Sequence, residues 1–272
     1  MPLEVRTTST LSEAASLLQA ERTARFLAGG TLLMRAVNEG DVSFSTIVRT
    51  TDPAFGRMRA AGGRIELGAG VTMAQILASR ELAFLHPVAR AVGGPAVRTM
   101  ATVGGNLFAA HPYGDFATAL LALDARVQLA SGFGAREVGL EEFLQGRDRA
   151  PRPLVTAVSF ERPSDPAAFR FRKMTRTHPK GAAVVTIAAF VPTSGGRVSA
   201  ARVAFGAMAD RPIRARGVER ALEGRPLTAE GVAAAVAAAA REGDPPTDSL
   251  ASAWYRRRVV GVVLRRLLLG EP

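Results

Sequence analysis

"TMATVGGNLFAAHPYGD" (Thr99–Asp115) sets two adjacent glycines and an asparagine behind a short apolar run and closes on Pro112, Gly114 and Asp115. A second pair, Gly29 and Gly30, stands in "FLAGGTLLM" (Phe26–Met34) behind another short apolar run. Either pair alone reads as a turn. Together they admit a second reading, because bends without side chains let several backbone N–H dipoles converge on an anion such as a phosphate. Thr31 and Thr102 flank the glycines with hydroxyl donors, and Asn106 adds an amide. Charge-assisted bonds of this kind contribute about 1.5–3 kcal/mol each. On the functional reading each bend grips one phosphate of a pyrophosphate, and Asp115 accepts two hydrogen bonds from a ribose diol. On the other reading the segments are two ordinary turns and an aspartate helix cap. The common nucleotide signatures are missing: there is no Gly-x4-Gly-Lys-Ser/Thr, and "GAGVTM" at Gly68 supplies only the first half of a Gly-x-Gly-x-x-Gly.

Working outward, "TLSE" (Thr10–Glu13) has capping-box spacing and predicts a helix with Leu11, Ala14, Leu17 and Leu18 on its apolar face. "ARFLA" (24–28) reads as a strand entering the first glycine pair, "TLLMRAVNEG" as a helix ended by Gly40, and "STIVRTTD" (45–52) as a returning strand. "GGRIELGAGVTMAQIL" predicts a strand, a turn at Gly68–Gly70 and a helix from Thr72. "LAFLHPVARAVGG" and "FATALLALDA" read as helical, and "RVQLA" as a strand. Proline density rises after "PLVTAVSFERPSDP", which puts a boundary near Arg162–Pro166. Beyond it "FRFRKMTRT", "AAVVTIAAFV" and "RVSAARVAFGAM" predict three strands. Two helices finish the chain, one capped by Thr228, the other by Asp248 or Ser249 with Leu250, Trp254, Leu264 and Leu268 inward.

With 272 residues, 47% of them apolar, the chain can bury the cores of two or three compact units. The absence of cysteine excludes disulfides, thiolate zinc sites and cysteine-ligated clusters held by this chain. His86, His111 and His178 lack ligand spacing, so no protein-held metal is expected. The net charge of +11 is carried almost wholly by arginine, since Lys173 and Lys180 are the only lysines. Only "WYRRR" (254–258) concentrates arginines, and no aromatics interleave the rest, which argues against a nucleic-acid partner. A docking surface for a more acidic protein and a compositional bias without specific meaning both fit the charge. No signal peptide is visible at the N-terminus, and the longest nearly apolar run (231–240) is too short for a bilayer. The expectation is a cytoplasmic protein without a membrane span.

At these residues the sequence resembles the FAD-binding, or medium, subunits of molybdenum hydroxylases of the xanthine dehydrogenase and carbon monoxide dehydrogenase type. "LAGGTLLM" looks like the family's first FAD loop, and "VRTMATVGGNLFAAHPYGDFATALLALDA" like its second loop and following helix. "GRIELGAGVTMAQI", "PLVTAVSFERP", "FRKMTRTHPKGAAVVTIAAF" and the arginine-rich tail fall in the family's order. The resemblance implies an α+β fold: a two-subdomain FAD-binding unit of the vanillyl-alcohol oxidase (PCMH) type (1–58 and 59–164), then a C-terminal α+β domain (165–272) with a small antiparallel sheet and helices. It implies that Ala28, Gly29, Gly30, Thr31, Leu32 and Leu33 line the cofactor. By the same resemblance Thr102, Gly104, Gly105 and Asn106 lie at the pyrophosphate, Asp115 at the ribose, and Leu154, Val155 and Lys173 near the flavin ring, with Gly93 and Gly94 approaching it.

The implied activity is that of an electron-transfer flavoprotein subunit without a catalytic base of its own. A molybdopterin-containing large subunit would oxidise the substrate, a small subunit would pass electrons through [2Fe–2S] clusters, and this chain would deliver them from FAD to NAD, quinone or oxygen. A stand-alone flavoprotein oxidase or dehydrogenase, and a scaffold without FAD, are the rival readings. Four positions depart from the family pattern. Leu32 and Ala109 stand where polar residues are common, Thr99 where Asn is, and Gly181 where Asp is. His111 stands where relatives commonly carry Ser, and a loop-packing role is expected for it. Lys173 reads either as a strand residue reaching water or as a cation near the pyrimidine end of the ring.

Overall fold

The computed structural model describes residues 3–131, 134–148, 153–177 and 181–272, so His178 and Lys180 lie outside the described residues. The chain forms two compact units. One comprises Met1–Glu81, Val92–Ala109 and Ala125–Arg162, the other Leu82–Ala91, Ala110–Asp124 and Pro163–Pro272.

In the first unit β1 (Glu4–Thr8) leads to Thr10, whose side chain accepts from the Glu13 amide while the Glu13 carboxylate reaches back. That reciprocal cap starts the predicted helix, Leu11–Ala20. Its Ala14, Ala15 and Leu18 are buried against Ala24, Val48 and Leu154. β2 (Ala24–Phe26) and β1 both run parallel to β3 (Thr46–Thr50), which lies between them. The β2–β3 crossover contains the first glycine pair and the helix Leu33–Asn38. β4 (Met58–Ala61), β5 (Arg64–Gly68), β6 (Arg126–Ser131), β7 (Gly134–Gly139) and β8 (Leu154–Glu161) form an antiparallel sheet in the order β4-β5-β8-β6-β7. Thr72 caps the helix Met73–Ala78 by a second reciprocal box, with Gln75.

The second unit is built on β9 (Phe169–Thr175), β10 (Ala183–Phe190), the hairpin β11 (Thr193–Ser194) and β12 (Arg197–Val198), β13 (Arg202–Gly206) and β14 (Ile213–Arg214). Its main sheet is antiparallel in the order β14-β13-β10-β9. Strand alternation divides the sheet's residues between two faces. Val185, Ile187, Ala189, Val203 and Phe205 share a core with the helices Arg216–Leu222, Ala229–Ala239 and Ala253–Leu269. Thr186, Ala188, Ala204 and Gly206 lie on the other face, toward the helix Asp115–Ala122. Arg170 reaches the carbonyls of Leu267 and Leu268, and Arg172 that of Glu271 at 2.7 Å, so cations meet the negative end of the last helix.

Three expectations need correction. "RVSAARVAFGAM" is not one strand, because Ala200 takes a left-handed φ of +55° between β12 and β13. "LAFLHPVARAVGG" breaks at Leu82 and restarts as His86–Ala91, where Pro87 sits in the first turn, the place in a helix that tolerates its missing N–H. The last helix is capped by Ser252, whose side chain accepts from Tyr255 N, rather than by Asp248 or Ser249. Its buried stripe is Arg256, Val260, Val263, Leu264, Leu267 and Leu268, so Trp254 falls off the stripe and is 68% exposed.

Candidate functional site

In the first unit the two halves of the glycine pattern meet. A Cβ on Gly29 would lie 1.6 Å from the Met100 carbonyl oxygen and 3.2 Å from Thr102 Cγ2, so the first bend is pressed against the backbone leading into the second. Gly30 has φ +73°, a left-handed turn that glycine adopts without strain, and it directs the chain into Leu33–Asn38. The amides of Gly29, Gly30, Thr31 and Leu32 donate to no acceptor among the described residues. Residues 28–31 and Leu33 are half-buried, while Leu32 is 41% exposed. A half-buried run of backbone donors without acceptors, beside a close approach that a side chain would fill, has the chemistry of an anion cradle.

The second bend is built differently. Gly104 N donates to Ala69 O at 2.8 Å, Val103 N to Val71 O at 2.8 Å, and Gly105 N to Thr102 Oγ1 at 3.0 Å. These amides are already committed inside the protein. Thr102, 5% exposed, caps the short helix Val103–Leu107, and Gly104 lets that helix sit on Ala69, where a Cβ would come within 2.6 Å of the Ala69 Cβ. The "GAGV" turn, read from sequence only as half of a nucleotide signature, thus supplies the carbonyls that fix the second bend. Gly68 and Gly70 in turn leave room for Phe55. Gly93 (φ +53°) accepts from Arg98 at 2.6 Å, and Gly94 precedes the helix Pro95–Arg98. Leu154 and Val155, each 3% exposed, bury their side chains at the start of β8.

In the second unit Asp115 opens its helix behind Gly114, which has φ +103°. The Asp115 carboxylate is 5% exposed. Its Oδ2 accepts from Lys173 Nζ at 2.6 Å and its Oδ1 from Thr186 Oγ1 at 2.7 Å. Lys173 Nζ also donates to Ala91 O at 3.1 Å. Lys173 is therefore neither a free cation nor a side chain running out to water, and Asp115 is not a simple helix cap. Thr186 was not singled out from sequence, because only the β9–β10 register, which sets Thr186 opposite Lys173, brings it to the carboxylate.

His111 packs as a loop residue. Its Nε2 meets Asp248 Oδ2 at 2.7 Å and its Nδ1 faces Ala209 O at 3.2 Å. Both Asp248 carboxylate oxygens also accept from Arg256 Nη2, at 2.8 and 2.7 Å, and Oδ1 accepts from the amides of Leu250 and Ala251. Burial alone would raise the Asp248 pKa, but the bonds from His111, the two amides and Arg256 outweigh it and hold the carboxyl well below its usual value.

Residues 2–162 match the family model described as the FAD binding domain in molybdopterin dehydrogenase, and residues 169–270 match the CO dehydrogenase flavoprotein C-terminal domain. The glyceraldehyde dehydrogenase medium chain of Sulfolobus acidocaldarius is 28% identical over 263 residues, 93% of this chain and 92% of that one. The carbon monoxide dehydrogenase medium chain of Afipia carboxidovorans is 30% identical over 77% of this chain and 75% of its own length. Among solved structures, reconstituted CO dehydrogenase from Oligotropha carboxidovorans superposes with a TM-score of 0.90 at 26% identity, covering 98% of this chain and 97% of that one.

Proposed function

Because the chain belongs to the family of FAD-binding domains of molybdopterin dehydrogenases, we propose that it works as the medium subunit of a molybdenum hydroxylase. On this reading it receives electrons from the [2Fe–2S] clusters of a small partner subunit, served by a molybdopterin-containing large subunit, and passes them on in the cytoplasm to NAD, a quinone or oxygen. The observation that carries the reading is the run of unspent amides from Gly29 to Leu32 beside a backbone approach that admits no Cβ. The cofactor's isoalloxazine supplies the redox chemistry, exchanging electrons singly or in pairs.

The chain's own part is to bind and orient. The amides of Gly29, Gly30, Thr31 and Leu32 donate to the pyrophosphate, with Ala28 and Leu33 flanking them. Thr102, Gly104, Gly105 and Asn106 hold the second bend at the first, acting through shape more than through free donors, since the Gly104 and Gly105 amides are committed. Asp115 keeps lone pairs for ribose hydroxyls. Lys173, with two of its three N–H groups taken, keeps one donor. Gly93, Gly94, Leu154 and Val155 offer backbone near the ring. Residues 1–58 and 59–164 are the two subdomains of the flavin-binding part on this reading, and 165–272 the C-terminal domain.

Purification of the tagged chain from its native host, with flavin, iron and molybdenum measured per chain, tests the assignment. Flavin with iron and molybdenum in fixed ratio is the expected result. Flavin without metals, together with substrate turnover by the chain alone, would replace it with the stand-alone flavoprotein. A colourless chain that takes up no added FAD would leave a scaffold.

A further inference from the structure

Thr186 is the one polar residue of "AVVTIAAF" (Ala183–Phe190), a strand whose other residues through Ala189 are fully buried and apolar. A valine of the same shape would pack there equally well, so the hydroxyl needs a separate reason. Its bond is the donation to Asp115 Oδ1 at 2.7 Å. Directly across the antiparallel pair stands Lys173, which takes the other oxygen at 2.6 Å. One carboxylate is thus gripped by a cross-strand pair, one donor to each oxygen.

The approach that permits this grip is itself specific. Thr186 also pairs in register with Gly206 on β13, and a Cβ on Gly206 would come within 2.6 Å of Thr118 Oγ1 and 3.1 Å of Thr186 Cβ. Bare backbone at Gly206 lets the Asp115 helix descend onto the sheet. Thr118 Oγ1 donates to Gly114 O at 3.1 Å and ties down the turn from which Asp115 emerges.

We propose that Thr186 is a positioning residue of the cofactor site: its hydroxyl fixes the plane of the Asp115 carboxylate and leaves Oδ2 to Lys173, so that both side chains present their unspent lone pairs and N–H group in a fixed orientation. This rests on the reading that Asp115 and Lys173 contact FAD. With the Thr186 donor removed, the carboxylate turns about its terminal torsion, and Lys173 follows it.

The test uses the full chain stripped of flavin, in the parent and in Thr186→Val, Thr186→Ser and Asp115→Asn. FAD affinity is read by flavin fluorescence, the midpoint potential of the bound flavin by spectroelectrochemistry, and folding by thermal melting. Thr186→Val should bind FAD roughly ten-fold more weakly and shift its potential, as expected for losing a bond to a charged group. Thr186→Ser, which keeps the hydroxyl, should return to within about two-fold of the parent. If valine does not fold, Thr186→Ala is read against serine in the same way. Parent-like affinity in Thr186→Val beside weakened Asp115→Asn would overturn the positioning role and leave the site intact. A lowered melting temperature with affinity and potential unmoved would also overturn it, by showing a packing role alone. Parent-like affinity in both Thr186→Val and Asp115→Asn would remove Asp115 from the site and the proposal with it.

Discussion

Gly29→Ala is expected to purify without flavin. The new methyl carbon would stand 1.6 Å from the Met100 carbonyl oxygen, far inside any allowed contact, and the obstacle is backbone, not a flexible side-chain tip. The two bends must separate, and the amides from Gly29 to Leu32 then lose their common orientation. Gly105→Ala is the matched control. Its Cβ would meet only Thr102 Oγ1, at 3.0 Å, which is tight but adjustable. Flavin per chain, from the absorbance of purified protein, should fall at least ten-fold for Gly29→Ala and by much less for Gly105→Ala, with backbone circular dichroism close to the parent in both. Equal occupancy in parent and Gly29→Ala would mean that the meeting of the bends has no bearing on the cofactor.

Arg256→Met is expected to cost the second unit most of its stability. Arg256 is fully buried, and its Nη1 donates to the carbonyls of Ala183, Val184 and Ala207 while Nη2 holds both oxygens of Asp248. Methionine fills the space but leaves the carbonyls without these donors and the carboxylate without its cation, a loss of about 3–5 kcal/mol. Arg256→Lys keeps charge without the planar fork and should recover only part of it. Urea unfolding followed by circular dichroism measures both, and a parent-like midpoint for Arg256→Met would refute the account.

The same cluster sets a pH dependence. The Asp248 pKa is depressed in the folded state, so its contribution is fully present above the unfolded carboxyl pKa of about 3.9 and is lost as pH falls through the folded value. Asp248→Asn should therefore flatten the fall in stability below about pH 4.

Much of the architecture could be read locally. Both capping boxes, at Thr10 and Thr72, are four-residue signals, and both start the helices expected of them. The glycine pairs mark positions where the chain must come close to something, and Met100 and Ala69 turn out to be what two of those glycines approach. What stayed hidden depends on register and distance. In sequence Arg256 is only one of the arginines concentrated in "WYRRR", because the carbonyls that bury it come from residues 49 to 73 positions away. Asp248 looked like a helix cap for want of any local sign of His111, 137 residues earlier. Thr186 gave no local sign of a role inside an apolar strand, because only the sheet sets Lys173 beside it. Trp254 was expected inward with Leu264 and Leu268, but it stands two residues, about 200° around the helix, before Arg256, which heads the buried stripe.

The exposure of Trp254 determines how this protein can be watched. It is the chain's only tryptophan, and it already sits in water with the Arg258 guanidinium 6.0 Å from its ring centre. Indole emission should therefore be red-shifted and readily quenched by iodide in the native state, and should change little in wavelength as urea melts the cores. A denaturation curve drawn from that signal would pass almost flat through the transition that backbone ellipticity records.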